Sequence, residues 1–322
     1  MRTVKTRMRL TGVALVGAAA LLGAACGDDS ASDTATTQSA VSGAAASFGF
    51  KALDAGGPIT KQALDKGDIQ IALLFSSDGS IVENGWVTLE DDKQLQPADN
   101  VTPVIRTTST NDGINKAINE VSAKITTDEL AQANKKMDID KADPAQVATE
   151  WLKSKSLDSA TPALTGKITV ASFNFSESEF LANVYGKALS AKGVTVSYKL
   201  KLGNREVIEP ALEKGDVDLV PEYVGTLTTF LKGTATGDAK ANADALAKIV
   251  NGKGITVLTP APGQDQNAFV VTKTTASKYS LKKVSDLATV KDKLVLGGPP
   301  ECPTRDFCIA GLKAKYGLKF DV

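Results

Sequence analysis

Residues 167–231, KITVASFNFSESEFLANVYGKALSAKGVTVSYKLKLGNREVIEPALEKGDVDLVPEYVGTLTTFL, decide how the rest of the chain is read. The opening run, 167–171, is apolar and β-branched. It gives way to Ser172-Phe173-Asn174-Phe175-Ser176-Glu177, the chemistry of a strand-to-helix turn. Ser176 with Glu179 fits a capping box, and Phe180, Val184 and Leu189 continue along the helix. The first-turn N–H groups of that helix are free to hold a polar or anionic ligand group. A second strand (194–200), a short helix (206–214) and a third strand (217–220) follow, ending in Pro221-Glu222-Tyr223-Val224-Gly225-Thr226. The pattern predicts an α/β unit with two strand ends facing one crevice, the place where open α/β sheets bind ligands.

Four motifs, NFSESEF (174–180), LGNREVIEPALEKGDVDLVPEYVGT (202–226), APGQDQNAFVV (261–271) and GGPPECPTRDFC (297–308), together resemble the glycine betaine/choline, or quaternary ammonium, class of substrate-binding proteins of ABC importers. The resemblance extends over residues 48–322. It implies an α/β, two-lobed type II periplasmic-binding fold with a ligand cleft between the lobes. It also implies a small-molecule ligand, separate permease and ATPase subunits as partners, and no cofactor.

Working outward, 322 residues suit two lobes of ordinary size. Arg2, Lys5, Arg7 and Arg9 precede an apolar run, 10–22, and then Gly-Ala-Ala-Cys26. That is the pattern of an export signal, too short and too rich in glycine and alanine for a comfortable membrane span. Cys26 is the expected lipidation site, with an ordinary cleaved signal as the alternative; a lipoprotein box would have leucine where Gly23 stands. The expected location is extracytoplasmic, lipid-anchored to the cell membrane. Removing residues 1–26 leaves 33 basic against 37 acidic residues, a net charge of −4, which disfavours nucleic acid as a partner. Residues 27–47 contain almost nothing to bury and read as a disordered tether.

Cys302 and Cys308 close a small proline-containing loop, and in an exported protein such a pair forms a disulfide. With no histidine in the chain, a metal site is not expected, and Ser-His-Asp, Cys-His and His-ligated chemistry is excluded. Ser280-Leu281-Lys282-Lys283 has a serine-x-x-lysine spacing but reads as a helix start. Glu177, Glu179, Glu222 and Asp265 leave an acid/base reading on a sugar open, although carboxylates are also what a cation receptor uses. The expectation is a receptor and not an enzyme. The rival is a sensory or adhesive lipoprotein of the same fold that is not coupled to transport.

Residues 63–73, ALDKGDIQIAL, echo 211–220, ALEKGDVDLV, as helix end, Gly-Asp turn and buried strand, which fits two lobes built from one βαβ unit. A second echo joins 268–273 with 102–107, segments that in the family cross between lobes. Residues 111–125 and the stretch opened by Asp143-Pro144 have helical spacing, with Trp151 in the core. The order of segments differs from the family's. The strand that should open the fold stands at Ile168, and the piece that should follow Val322 stands at Phe48. The chain therefore resembles a circular permutant, the alternative being that 48–157 is the tail of a fused, decayed copy and the second copy is truncated at Val322. The expected organisation is one lobe from 104–157 and 167–267, the other from 48–103 and 268–322, and a linker at 158–166.

The resemblance places the ligand against 174–178 and 223–226 from one lobe and 75–78 from the other, with 265–267 near the crossing. Tyr223 keeps an aromatic and Thr226 a hydroxyl, and Phe75 stands where tyrosine is common. Asn267 falls where an aromatic is expected, and Ser178 where a glutamine often reaches the ligand's carboxylate. Asn174, Phe175, Ser176 and Ser77 complete the expected set, with Asp78 and Asp265 offsetting the depleted aromatic cage through their charge.

Overall fold

The computed structural model describes residues 47–54, 56–160 and 163–322. The signal segment, Cys26 and the tether up to residue 46 lie outside the described residues; Ser47, expected in the tether, already belongs to the first strand.

The chain runs through β1 (Ser47–Ala52), α1 (Pro58–Asp65), β2 (Ile71–Phe75), α2 (Gly79–Asn84) and β3 (Val87–Thr88) in one lobe. It then crosses to β4 (Val101–Arg106), α3 (Asp112–Ser122), α4 (Thr127–Asn134) with a π-helical turn Lys135–Ile139, and α5 (Pro144–Ser154). The same lobe continues with β5 (Lys167–Phe173), α6 (Ser176–Ala191), β6 (Thr195–Gly203), α7 (Arg205–Lys214), β7 (Leu219–Tyr223), α8 (Val224–Phe230), α9 (Ala239–Ile249) and β8 (Ile255–Val257). The chain returns to the first lobe as β9 (Asn267–Val271), α10 (Lys273–Tyr279), β10 (Val295–Gly298), α11 (Ile309–Tyr316) and β11 (Lys319–Asp321). All described residues belong to one compact unit. No described helix is long and apolar enough to cross a membrane.

Each lobe is a sheet buried on both faces. One sheet has strand order β11-β1-β10-β2-β9-β3, the other β6-β5-β7-β4-β8. The two-residue period of a strand divides its side chains between two cores. In β5, Ile168 and Val170 enter one cluster while Ala171 and Phe173 enter another; in β2, Ile71 and Leu73 oppose Ala72 and Leu74 in the same way. Helices α3 to α6 cover one face of the second sheet, where Trp151 meets Phe180 edge-on at 6.2 Å between ring centroids.

The internal echo has a structural counterpart. In the first lobe α1 leads through Gly67 (φ +77°) into β2, and in the second α7 leads through Gly215 (φ +86°) into β7. A left-handed backbone at these turns is one that glycine adopts without Cβ strain. β2 then pairs antiparallel with β9 and β7 pairs antiparallel with β4, the strand that follows a crossing in each case.

Three local expectations are corrected. Residues 102–106 and 268–271 are strands inside the two sheets; the crossings are 89–100 and 258–266, held together by an antiparallel bridge between Asn100 and Gln264. Ser176 and Glu179 form no capping box, because α6 begins at Ser176 with Phe175 in the capping position, so the hydroxyl lies one residue too far along. Ser280 ends α10 in the left-handed region (φ +54°) instead of opening a helix. Where a capping side chain does precede a helix, local chemistry holds: Asn111, Thr126 and Asp143 each accept a hydrogen bond from a first-turn N–H.

Candidate functional site

Two strand ends and one helix start converge between the lobes. β2 ends at Phe75, nearly half exposed (48%), followed by the buried Ser77 and by Asp78, which caps α2 and holds Lys61 Nζ at 2.6 Å. Across from it, β7 ends at the buried Tyr223, and α6 starts with Ser176 and Glu177. Between them lies a cavity of about 320 Å³ lined by Phe75, Ser77, Asp78, Phe175, Ser176, Glu177 and Asp265, together with Lys61, Asn134, Asp138 and Ile139.

Glu177 is the centre of this wall. It is buried and accepts hydrogen bonds from Tyr223 Oη and from Asn134 Nδ2. Asn134, on α4, also donates to the backbone oxygen of Ser77 at 2.8 Å, so one amide ties α6 to the opposite lobe. Burial pushes the Glu177 carboxyl above the usual range, against the hydrogen bonds from Tyr223, Asn134 and Ser77. Burial, and next the charge of Glu177, push Asp265 up to about 7. Burial and the neighbouring carboxylates also push the Tyr223 phenol well above its ordinary value. Three aromatic rings stand in sequence: Phe173 stacks on Phe175 at 5.8 Å, and Phe175 lies 6.3 Å from Tyr223. With Phe75 opposite, aromatic faces and carboxylates line the same space, an arrangement suited to a cation with a greasy exterior.

The expected site residues divide into two groups. Phe75, Ser77, Asp78, Phe175, Ser176 and Asp265 line the cavity, with Tyr223 directly behind Glu177. Ser178 does not; its buried Oγ accepts from the backbone N–H of Phe173 at 2.9 Å, because the helix turns that side chain inward onto its own strand. Thr226 is engaged by the carboxylate of Asp99 through both its N–H and its hydroxyl, and Asn174 is exposed outside the cavity. Asn267 faces a second cavity, of about 240 Å³, on the other side of Phe75. Of the carboxylates open to an acid/base reading, Glu222 is bound by Arg205 through two nitrogens (2.9 and 2.8 Å) and Glu179 lies 3.1 Å from Lys201. Glu177 falls inside the expected stretch 174–178 without being singled out there, and Asn134 was missed. A carboxylate in the first turn of a helix reads as a solvent-facing partner of the helix dipole, and nothing local marks Asn134, which lies 43 residues from Glu177. Cys302 and Cys308 are bonded as expected.

The chain is 28% identical over 150 residues to the glycine betaine-binding protein YehZ of Escherichia coli (strain K12), covering 44% of this chain and 49% of that protein. The chain thus spans about half the length of this curated relative. Among solved structures, a phosphate-binding protein of a phosphate ABC transporter from Streptococcus pneumoniae is similar at 16% identity and a TM-score of 0.35, over 74% of this chain and 79% of that one. The periplasmic oligopeptide-binding protein of an ABC transporter from Thermotoga maritima is similar at 13% identity and a TM-score of 0.32, over 64% of this chain and 53% of that one. The family model described as the substrate binding domain of ABC-type glycine betaine transport systems matches residues 30–154 and 166–322, so the chain belongs to that family of solute-binding receptors.

Proposed function

We propose that this protein captures a small quaternary ammonium solute outside the cytoplasm and delivers it to the permease and ATPase of an ABC importer by closing its two lobes. The observation that carries this reading is the cavity lined by Glu177, Asp265, Phe75 and Phe175, with Tyr223 bonded behind Glu177. Aromatic faces around a desolvated cation contribute about 0.5 to 2 kcal/mol each, and the carboxylates supply the long-range attraction. Calorimetric titration with glycine betaine, choline, carnitine and ergothioneine tests it: at least one binds, and Tyr223→Ala weakens that binding. Absence of heat from every quaternary amine overturns the cation reading. The role is a receptor's and not a hydrolase's, which requires that bound solute be recovered unchanged.

The anchor in this reading is a lipid on Cys26, tested by mass spectrometry of the mature N-terminus. The segment order is that of a circular permutant. Support for it comes from β1 and β11, which pair in parallel with Phe48 beside Phe320, ring centroids 5.4 Å apart, and from α3 and α5, which pack on α6. Permutation is tolerated where the joined ends meet at the surface. A chain re-ordered to begin at Lys167 and to run through residue 322 into residues 47–157 should fold and bind with unchanged affinity.

A further inference from the structure

The inter-lobe cavity is one-sided in charge. It is lined by Asp78, Asp138, Glu177 and Asp265, and its sole basic lining residue, Lys61, is already held by Asp78 at 2.6 Å. A zwitterion whose carboxylate sits one methylene from its ammonium must therefore bring that carboxylate among four acidic side chains. Phe75, however, is a wall shared with the second cavity. That cavity is lined by Leu73, Phe307 and the Cys302–Cys308 disulfide, with Asn267, Glu301 and Arg305 as its polar and charged members. Phe307 is 48% exposed, a large accessible aromatic surface. The guanidinium of Arg305 is two-thirds exposed, and its nearest carboxylate, Glu301, is 3.9 Å away, too far for a hydrogen bond. Gly56 (φ +70°) also lines this space, its backbone lying against Leu73 and Leu74.

We propose that the solute is an elongated zwitterion. Its quaternary ammonium occupies the inter-lobe cavity, a hydrocarbon segment passes Phe75 and lies on Phe307, and its carboxylate meets Arg305. This rests on the quaternary ammonium reading above and adds the length and the second charge of the ligand. A single methylene does not reach past a phenyl ring, whereas a chain of several does, and each methylene removed from water raises affinity about fourfold.

The test uses the folded chain and three ω-trimethylammonio carboxylates with one, three and five methylenes. The five-methylene chain without its carboxylate is the fourth ligand. The expected result is affinity rising with chain length, with the longest acid at least tenfold tighter than both the shortest acid and the tail lacking a carboxylate. In Arg305→Gln the advantage of acid over tail falls toward one, and in Phe307→Ala the gain with length shrinks; circular dichroism melting curves check that both variants are folded. Equal affinity across the series, or an acid-over-tail ratio that Arg305→Gln leaves intact, overturns this inference while the receptor reading stands. Failure of all four ligands to bind overturns this inference together with the quaternary ammonium reading, and leaves the receptor family untouched.

Discussion

Tyr223, at the end of β7, donates its phenolic hydrogen to Glu177 in the first turn of α6, and both side chains are buried. The bond fixes the carboxylate on the cleft wall and places the phenol behind Phe175. It couples the packing of β7 and α6 to a carboxyl group that lines the cleft.

Tyr223→Phe removes this bond and keeps the ring. Leaving the Glu177 carboxylate short of one donor should cost about 1 to 3 kcal/mol of stability, read as a lower urea midpoint at unchanged slope. Affinity for a quaternary amine should fall less in Tyr223→Phe than in Tyr223→Ala, because the ring that backs Glu177 and Phe175 persists. Equal losses in the two variants would show that the ring contributes nothing.

Asp265 titrates near 7 because burial and then Glu177 disfavour its charged form. A carboxyl whose folded value lies above the unfolded value of 3.8 lets the unfolded chain lose its proton first. Its contribution is thus most favourable below pH 4 and is progressively lost as pH rises toward 7. A cationic ligand has the opposite dependence, since it needs the ionised form. Affinity should therefore rise between pH 6 and pH 8, with a proton released on binding near pH 7. Titrations in buffers of different ionisation enthalpy measure that proton, and Asp265→Asn should flatten the profile.

Gly79 opens α2 against the end of α4 in the opposite lobe. A Cβ there would lie 2.4 Å from the backbone nitrogen of Lys135 and 2.6 Å from its Cα. Backbone atoms do not move aside as a flexible side chain would, so Gly79→Ala should prevent the lobes from meeting as they do here. Each lobe should still fold, while affinity drops at least tenfold and small-angle scattering gives a larger radius of gyration. An unchanged radius and affinity would place the interlobe contact elsewhere.

The disulfide between Cys302 and Cys308 closes a short loop beside the second cavity. Loop-closure entropy for so few residues is worth about 2 kcal/mol. Replacing both cysteines by serine should destabilise the fold by that amount, read as a lower melting temperature, and weaken binding of the longest solute more than that of the shortest. A loss shared equally by all ligands would separate the loop from the second cavity.

Much of this architecture is written in short-range chemistry. The unbroken apolar run at 71–74 and the apolar residues on both sides of 168–173 suit sheets covered on both faces, and the Gly-Asp turns at 67–68 and 215–216 mark where helix gives way to strand. Asn111, Thr126 and Asp143 set helix starts through bonds that span three residues or fewer. These are decisions between near neighbours, so the order of residues suffices to make them. The direction each cleft residue faces is different. Ser178 and Thr226 carry the hydroxyls expected of a binding site, yet one is turned onto β5 and the other is held by Asp99, 127 residues away. Glu177, placed where a helix favours any acidic residue, is made a buried anchor only by Asn134 and Tyr223 arriving from α4 and β7. Helical and strand periods state which side chains share a face. Which of those faces meets the opposite lobe depends on how two sheets, joined only through 89–100 and 258–266, pack against each other in space.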